Sequence, residues 1–301
     1  MTLNLFTAGL VSPPAVPPPL DTPRRSRTAT FADYHLNAEL AAAVNVACHL
    51  HRPLLVTGEP GTGKTALAWA IARRLGAGDV LEYHCRSNSQ ARDLLYQVDH
   101  LRRFHDAQCG DARAQDAANY ITYAALGEAI RSPRTRVVLV DEVDKAPRDF
   151  PNDLLDVFDR MRFSVPEMGP DAVFEARVDP VVVLTSNSER RLPPAFLRRC
   201  IYAHIAFPGA AQLSEIVRTQ TADLAEAQGL REAAVRRFLD LRAVEGLSKK
   251  PATDELIAWV RVLHAMGVSE AGLLGCALTG LPAREVLLKL KDDADVLERR
   301  G

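Results

Sequence analysis

The chain has 301 residues, of which 47% are hydrophobic and 25% charged, with a formal net charge of −1. That length buries a substantial core and exceeds the usual size of one domain, so two domains are the default; the balanced charge lacks the basic footprint of a nucleic-acid binder. The five cysteines, Cys48, Cys85, Cys109, Cys200 and Cys276, are odd in number and scattered without CxxC spacing, which argues for reduced thiols in the cytoplasm rather than a disulfide or zinc framework.

Residues 1–27 hold Pro13-Pro14, Pro17-Pro18-Pro19 and Pro23 before Arg24-Arg25-Ser26-Arg27. Such a composition cannot pack a core and reads as a flexible tail; without a basic start or an unbroken apolar stretch it lacks the plan of a secretory signal. Nowhere does a continuous apolar run approach the roughly 18 residues of a membrane span.

From Phe31 onward strand and helix patterns alternate, as they do in a parallel sheet. Asn37 is placed to cap a helix with Leu40, Val44 and Cys48 along one side, ended by Arg52-Pro53. The apolar run Pro53 to Thr57 then leads into Gly58-Glu59-Pro60-Gly61-Thr62-Gly63-Lys64-Thr65, followed by Ala66. This fits the phosphate-loop pattern: glycines let successive backbone N–H groups turn inward around phosphate oxygens, the following helix aims its positive end there, and Lys64 adds a full charge. Thr65 offers a hydroxyl for Mg²⁺, and a nucleoside triphosphate is the expected ligand.

The helix opening at Gly63 is expected to stop near Gly76, and Val80 to His84 reads as the second strand. Ala91 to Phe104 places Leu94, Leu95, Val98 and Leu101 at helical spacing, an apparent insertion in the helical layer followed by a polar stretch from Gln108 to Ala118. His100, His105 and Cys109 lie close together in sequence, but a metal site there needs a fourth ligand and a dry pocket, and the surrounding Asp, Arg and Gln suit a wet surface.

Arg136-Val137-Val138-Leu139-Val140-Asp141-Glu142 is a β-branched run ending in two carboxylates, the form of a Walker B strand. Chemistry gathers at the carboxyl ends of parallel strands, so Asp141 is placed to hold Mg²⁺ and Glu142 to orient the attacking water. Asp153 to Arg160 reads as an amphipathic helix, and residues 162–177 as a hairpin turning at Met168-Gly169-Pro170-Asp171. Val181 to Thr185 is a further strand whose exit presents Asn187 to the same water, and Leu192-Pro193-Pro194-Ala195-Phe196-Leu197-Arg198-Arg199-Cys200 precedes a fifth, Ile201 to Phe207. Beyond it only helices are read: Gln212 to Ala227, Arg231 to Leu241, Asp254 to Met266 and Ser269 to Leu278.

The phosphate loop GEPGTGKT, the strand VVLVDE, the strand end TSN of Thr185-Ser186-Asn187, and LPPAFLRR occur in the order and spacing of AAA+ ATPases. Over roughly residues 28–265 the chain most resembles the MoxR branch. The resemblance implies a P-loop NTPase αβα sandwich with a five-stranded parallel sheet over 28–207 and a small all-α lid domain over 208–301. It implies ATP and Mg²⁺ as ligands, with Gly58 through Ala66 on the nucleotide, Thr65 and Asp141 on the metal, Glu142 activating water and Asn187 as first sensor. It further implies a homo-oligomeric ring, usually of six subunits, and a chaperone-like role toward a partner bearing a von Willebrand A-type domain.

In similar proteins an arginine at the position of Arg198 or Arg199 reaches a neighbour's γ-phosphate; the alternative is a salt bridge within the chain. Relatives commonly start a lid helix with a sensor arginine, where this chain offers Lys249-Lys250-Pro251, so Lys250 or Arg242 would take that role. Tyr34 and His35 sit where related proteins contact adenine; the alternative for each is an exposed linker residue. Two other functions share most of these motifs: a GTP-driven McrB-like motor subunit of a nuclease, and a slowly hydrolysing nucleotide-gated scaffold. Clamp loading on nucleic acid is disfavoured by charge.

Overall fold

The computed structural model describes residue 34 and residues 36–187, 192–224 and 227–299. The tail over 1–27 and His35 lie outside the described residues. The chain divides into two compact units, one ending at Ala206 and the other beginning at Phe207.

In the first unit, helix α1 (Ala38–Leu50) is capped by the Asn37 side chain, which accepts from the Leu40 amide at 2.8 Å. Strand β1 (Leu54–Gly58) feeds the phosphate loop and helix α2 (Lys64–Leu75), which ends on left-handed Gly76. Strand β2 (Leu81–His84) follows. The expected helix over Ala91 to Phe104 does not form. That segment is a 3-10 turn (Ala91–Leu94), strand β3 (Tyr96–Val98) and helix α3 (His100–Gln108), whose new start is capped by Asp99.

Tertiary pairing overrides the helical spacing here: β3 hydrogen-bonds antiparallel to β4 (Ile121–Tyr123), and Asp99 cuts the run by accepting from the Arg102 amide. Leu94 and Leu95 are buried, whereas Leu101, read as belonging to the same face, is 84% exposed. Helix α4 (Ala125–Arg131) closes the insertion. At Gly127 an added Cβ would lie 1.8 Å from the Leu95 carbonyl oxygen, so glycine lets α4 seat against the chain at Leu95.

Strand β5 (Val137–Asp141) precedes α5 (Phe150–Asp153) and α6 (Leu155–Arg160), which meet at Leu154 where a single amphipathic helix was expected. The hairpin stands as read, β6 (Arg162–Ser164) pairing antiparallel with β7 (Val173–Glu175). An aromatic cluster joins it to the insertion. Phe163 stacks on Tyr96 and Phe174, Tyr123 meets both phenylalanines edge-on, and the Arg131 guanidinium lies 3.6 Å from the Tyr123 centroid. Strand β8 (Val181–Ser186), helix α7 (Pro194–Leu197) and strand β9 (Ile201–Ile205) complete the unit.

The five long strands form one parallel sheet in the order β2-β5-β8-β1-β9. Their residues alternate between two cores. Leu54, Val56, Val137, Leu139 and Val183 pack with α1 and α2, while Leu55, Val138, Val140, Val182 and Leu184 pack with α4, Phe150 and Phe158. Burial on both faces explains why these strands read as continuous apolar runs.

The second unit is helical: α8 (Ala210–Gln220), α9 (Gln228–Arg242), α10 (Thr253–Ala265), α11 (Glu270–Gly275) and α12 (Lys291–Glu298). Leu213, Phe238, Leu256, Trp259 and Leu273 form its fully buried core. Among the described residues no helix is long and apolar enough to cross a membrane.

Candidate nucleotide site

Sheet order brings the motif residues together. β8 lies between β1 and β5, with Thr57 level with Ser186, Val140 level with Leu184, and His84 level with Asp141. The exits of β1, β5, β8 and β2 therefore share one edge, where a parallel sheet binds ligands.

The phosphate loop is shaped by backbone that only glycine adopts without strain. Gly58, Gly61 and Gly63 have φ of 152°, 75° and 90°. A Cβ on Gly58 would lie 2.4 Å from the Ile205 carbonyl oxygen, and one on Gly63 would lie 3.1 Å from the Tyr34 ring. Tyr34 thus covers the loop from the side of the N-terminal segment, and burial pushes its hydroxyl pKa up to about 12. Thr62 Oγ1 braces the loop by donating to the Glu59 carbonyl at 2.9 Å.

Lys64 is buried and all three of its N–H donors are used at 2.9 Å, on the Gly58 carbonyl, the Glu59 carbonyl and Asn187 Oδ1. Burial lowers its pKa despite the opposing pull of Asp141, Asp144 and Glu142. The Asn187 backbone is anchored in turn, its main-chain N–H donating to Asp144 Oδ1 at 3.3 Å.

Thr65 Oγ1 lies 3.2 Å from Asp141 Oδ1, giving a hydroxyl and a carboxylate side by side beneath the loop. Hard oxygen donors of this kind, few in number and beside a phosphate cradle, fit Mg²⁺, which keeps waters and takes its remaining ligands from the substrate's phosphates. Thr185, fully buried, donates to Asp141 Oδ1 at 2.6 Å and accepts from the Glu142 amide at 2.8 Å. One hydroxyl thereby pins both carboxylate-bearing residues. Glu142 is left-handed (φ 56°, ψ 50°), a conformation that costs a non-glycine residue about 1 kcal/mol or more. Its Oε2 lies 2.6 Å from Lys145 Nζ, a contact that raises the lysine pKa.

The two candidate arginines differ. Arg199 Nε lies 2.8 Å from both carboxylate oxygens of Asp159, and its Nη1 donates to the Ala195 carbonyl, the salt bridge weighed from sequence. Arg198 is exposed, and no ion pair to it forms among the described residues. In the helical unit Lys250 is exposed on the loop before α10, whereas Arg242 is buried, stacked 3.4 Å from the Phe207 centroid and donating to the Pro251 carbonyl.

Sequence reasoning gave Thr185, Asp144, Lys145 and His84 no role. Thr185 belongs to the strand end TSN, but its hydroxyl matters because β8 neighbours β5, which no local pattern states.

A five-stranded parallel sheet in this order, with a phosphate loop after one strand and paired carboxylates after another, is the AAA+ P-loop α/β fold, here followed by a helical part. Residues 53–200 match the family model of the AAA domain, dynein-related subfamily, which supports an AAA+ ATPase as the general activity. No curated protein matches the chain.

Proposed function

We propose that the protein is a MoxR-like AAA+ ATPase that hydrolyses ATP with Mg²⁺ in an assembled ring and uses the cycle to remodel a partner protein. The observation that carries the reading is the convergence of Lys64, Thr65, Asp141, Glu142 and Asn187 on one sheet edge through direct hydrogen bonds and strand register. Backbone amides of Gly61 to Lys64 and the Lys64 ammonium hold the triphosphate, Lys64 exchanging a loop carbonyl for phosphate oxygen. Thr65 and Asp141 would hold Mg²⁺, which when bound neutralises charge on the phosphates. Glu142, released from Lys145, accepts the proton of the water that attacks the γ-phosphorus, and Asn187 orients that water. The bond between the γ-phosphorus and the β,γ-bridging oxygen breaks, and ADP and phosphate leave.

Arg198, exposed and without an ion pair among the described residues, is the arginine available to a neighbouring subunit, while Arg199 is engaged by Asp159. In that role Arg198 would act on nucleotide held by a second protomer, as a ring requires. The partner class implied by the MoxR likeness is a von Willebrand A-type domain. The decisive experiment is Glu142→Gln, which is expected to retain ATP and stop turnover. Hydrolysis at the wild-type rate would remove Glu142 from its role.

A further inference from the structure

Among the described residues outside the motifs, the His84 side chain reaches the Asp141 carboxylate. His84 ends β2 opposite Asp141, and its Nδ1 lies 3.2 Å from Asp141 Oδ2. On its far side Nε2 lies 3.5 Å from Glu82 Oε2, and Glu82 Oε1 accepts from Trp69 Nε1 of α2 at 2.8 Å. Asp141 is therefore held at both oxygens, Oδ1 by the hydroxyls of Thr65 and Thr185, and Oδ2 by the imidazole.

The two oxygens are not equivalent. Oδ1 is shared with Thr65, the hydroxyl beside which the cation would sit. The terminal torsion of a carboxylate is a broad two-fold rotor, which partners at Oδ1 restrain from one end of the group only. A partner at Oδ2 restrains the other end and narrows the range of the plane. Glu82 lies on the far side of the His84 ring and is itself fixed by an indole on the helix that leaves the phosphate loop, so a line of contacts runs from the carboxylate to the loop's own helix.

Resting on the nucleotide reading above, we propose that His84 is a positioning residue for Asp141, setting the carboxylate plane that receives Mg²⁺ alongside Thr65. Partners that orient a metal ligand commonly matter by 10- to 100-fold in metal affinity. His84 is half exposed and Glu82 is not fully enclosed, so the lower end of that range applies.

The test uses the full chain with a non-hydrolysable ATP analogue and Mn²⁺ as the probe, free Mn²⁺ being followed by electron paramagnetic resonance. A second arm measures binding of a fluorescent ATP analogue in EDTA. His84→Ala is expected to weaken Mn²⁺ in the ternary complex about tenfold, with metal-free nucleotide affinity within about twofold of wild type. His84→Asn, whose amide nitrogen falls near the place of Nδ1, is expected to recover most of the loss. Unchanged Mn²⁺ affinity in the alanine variant, equal losses in both arms, or an asparagine variant as weak as alanine would each overturn the role. Wild-type protein that binds no nucleotide in either arm would instead remove the nucleotide site, and this inference with it.

Discussion

Thr185→Val replaces a buried hydroxyl by a methyl of similar size and removes two hydrogen bonds at once. The donor to ionised Asp141 Oδ1 at 2.6 Å is worth about 1.5–3 kcal/mol, and leaving the Glu142 amide without its 2.8 Å acceptor costs about 1–3 kcal/mol. The α/β unit should therefore lose on the order of 3 kcal/mol. With a urea dependence of about 2 kcal/mol per molar for a unit of this size, its midpoint should fall by about 1.5 M. The two tryptophans lie one in each unit, Trp69 in α2 and Trp259 in α10, so 5-fluorotryptophan resonances followed through a urea series report the units separately. Only the Trp69 transition should move. On the proposed roles of Asp141 and Glu142, hydrolysis should drop about 10²-fold, because the same hydroxyl sets the position of both residues. Thr185→Ser should keep most of both properties. A valine variant whose Trp69 midpoint moves by less than about 0.3 M, with turnover intact, would refute the claim that this hydroxyl organises the carboxylates.

Arg198→Ala should lower turnover in the assembled protein by about 10³-fold without weakening nucleotide binding. Arg199→Ala, losing an exposed pair with Asp159, should shift the urea midpoint by the equivalent of under about 1 kcal/mol after solvent screening; the opposite pattern in steady-state kinetics would exchange the two assignments. Gly58→Ala should lose nucleotide binding and on the order of 3 kcal/mol of stability, since its Cβ meets the Ile205 carbonyl oxygen; titration with a fluorescent ATP analogue giving wild-type affinity would contradict this. Burial pushes the Cys85 and Cys200 thiols up to about 12, so at pH 8 both remain protonated and alkylate slowly in the folded state, while exposed Cys109 reacts first. Mass spectrometry of peptides after a timed iodoacetamide pulse checks that order.

Signals that lie in a few consecutive residues carried through to the structure. The phosphate loop, the strand ending at Asp141, the hairpin over 162–175 and the cap at Asn37 depend on local backbone freedom, β-branched runs and side-chain capping, which the residues themselves supply. The segment 91–104 shows where that stops. Leu94, Leu95, Val98 and Leu101 repeat at helical spacing, yet Val98 joins a three-residue strand because Ile121 is there to pair with it, and Asp99 restarts the helix.

Alternation along a strand states which residues share a face but not which strand lies alongside. The order β2-β5-β8-β1-β9 is a property of packing, and it decides that Thr185 touches Asp141, that Asn187 reaches Lys64, and that His84 faces the same carboxylate. Likewise, two adjacent arginines are equal on paper. Asp159, forty residues earlier in the chain, separates them by engaging Arg199 and leaving Arg198 in solvent. The chemical groups of the site were thus set by local sequence, and their mutual orientation by contacts between residues far apart in the chain, which form only when the sheet assembles.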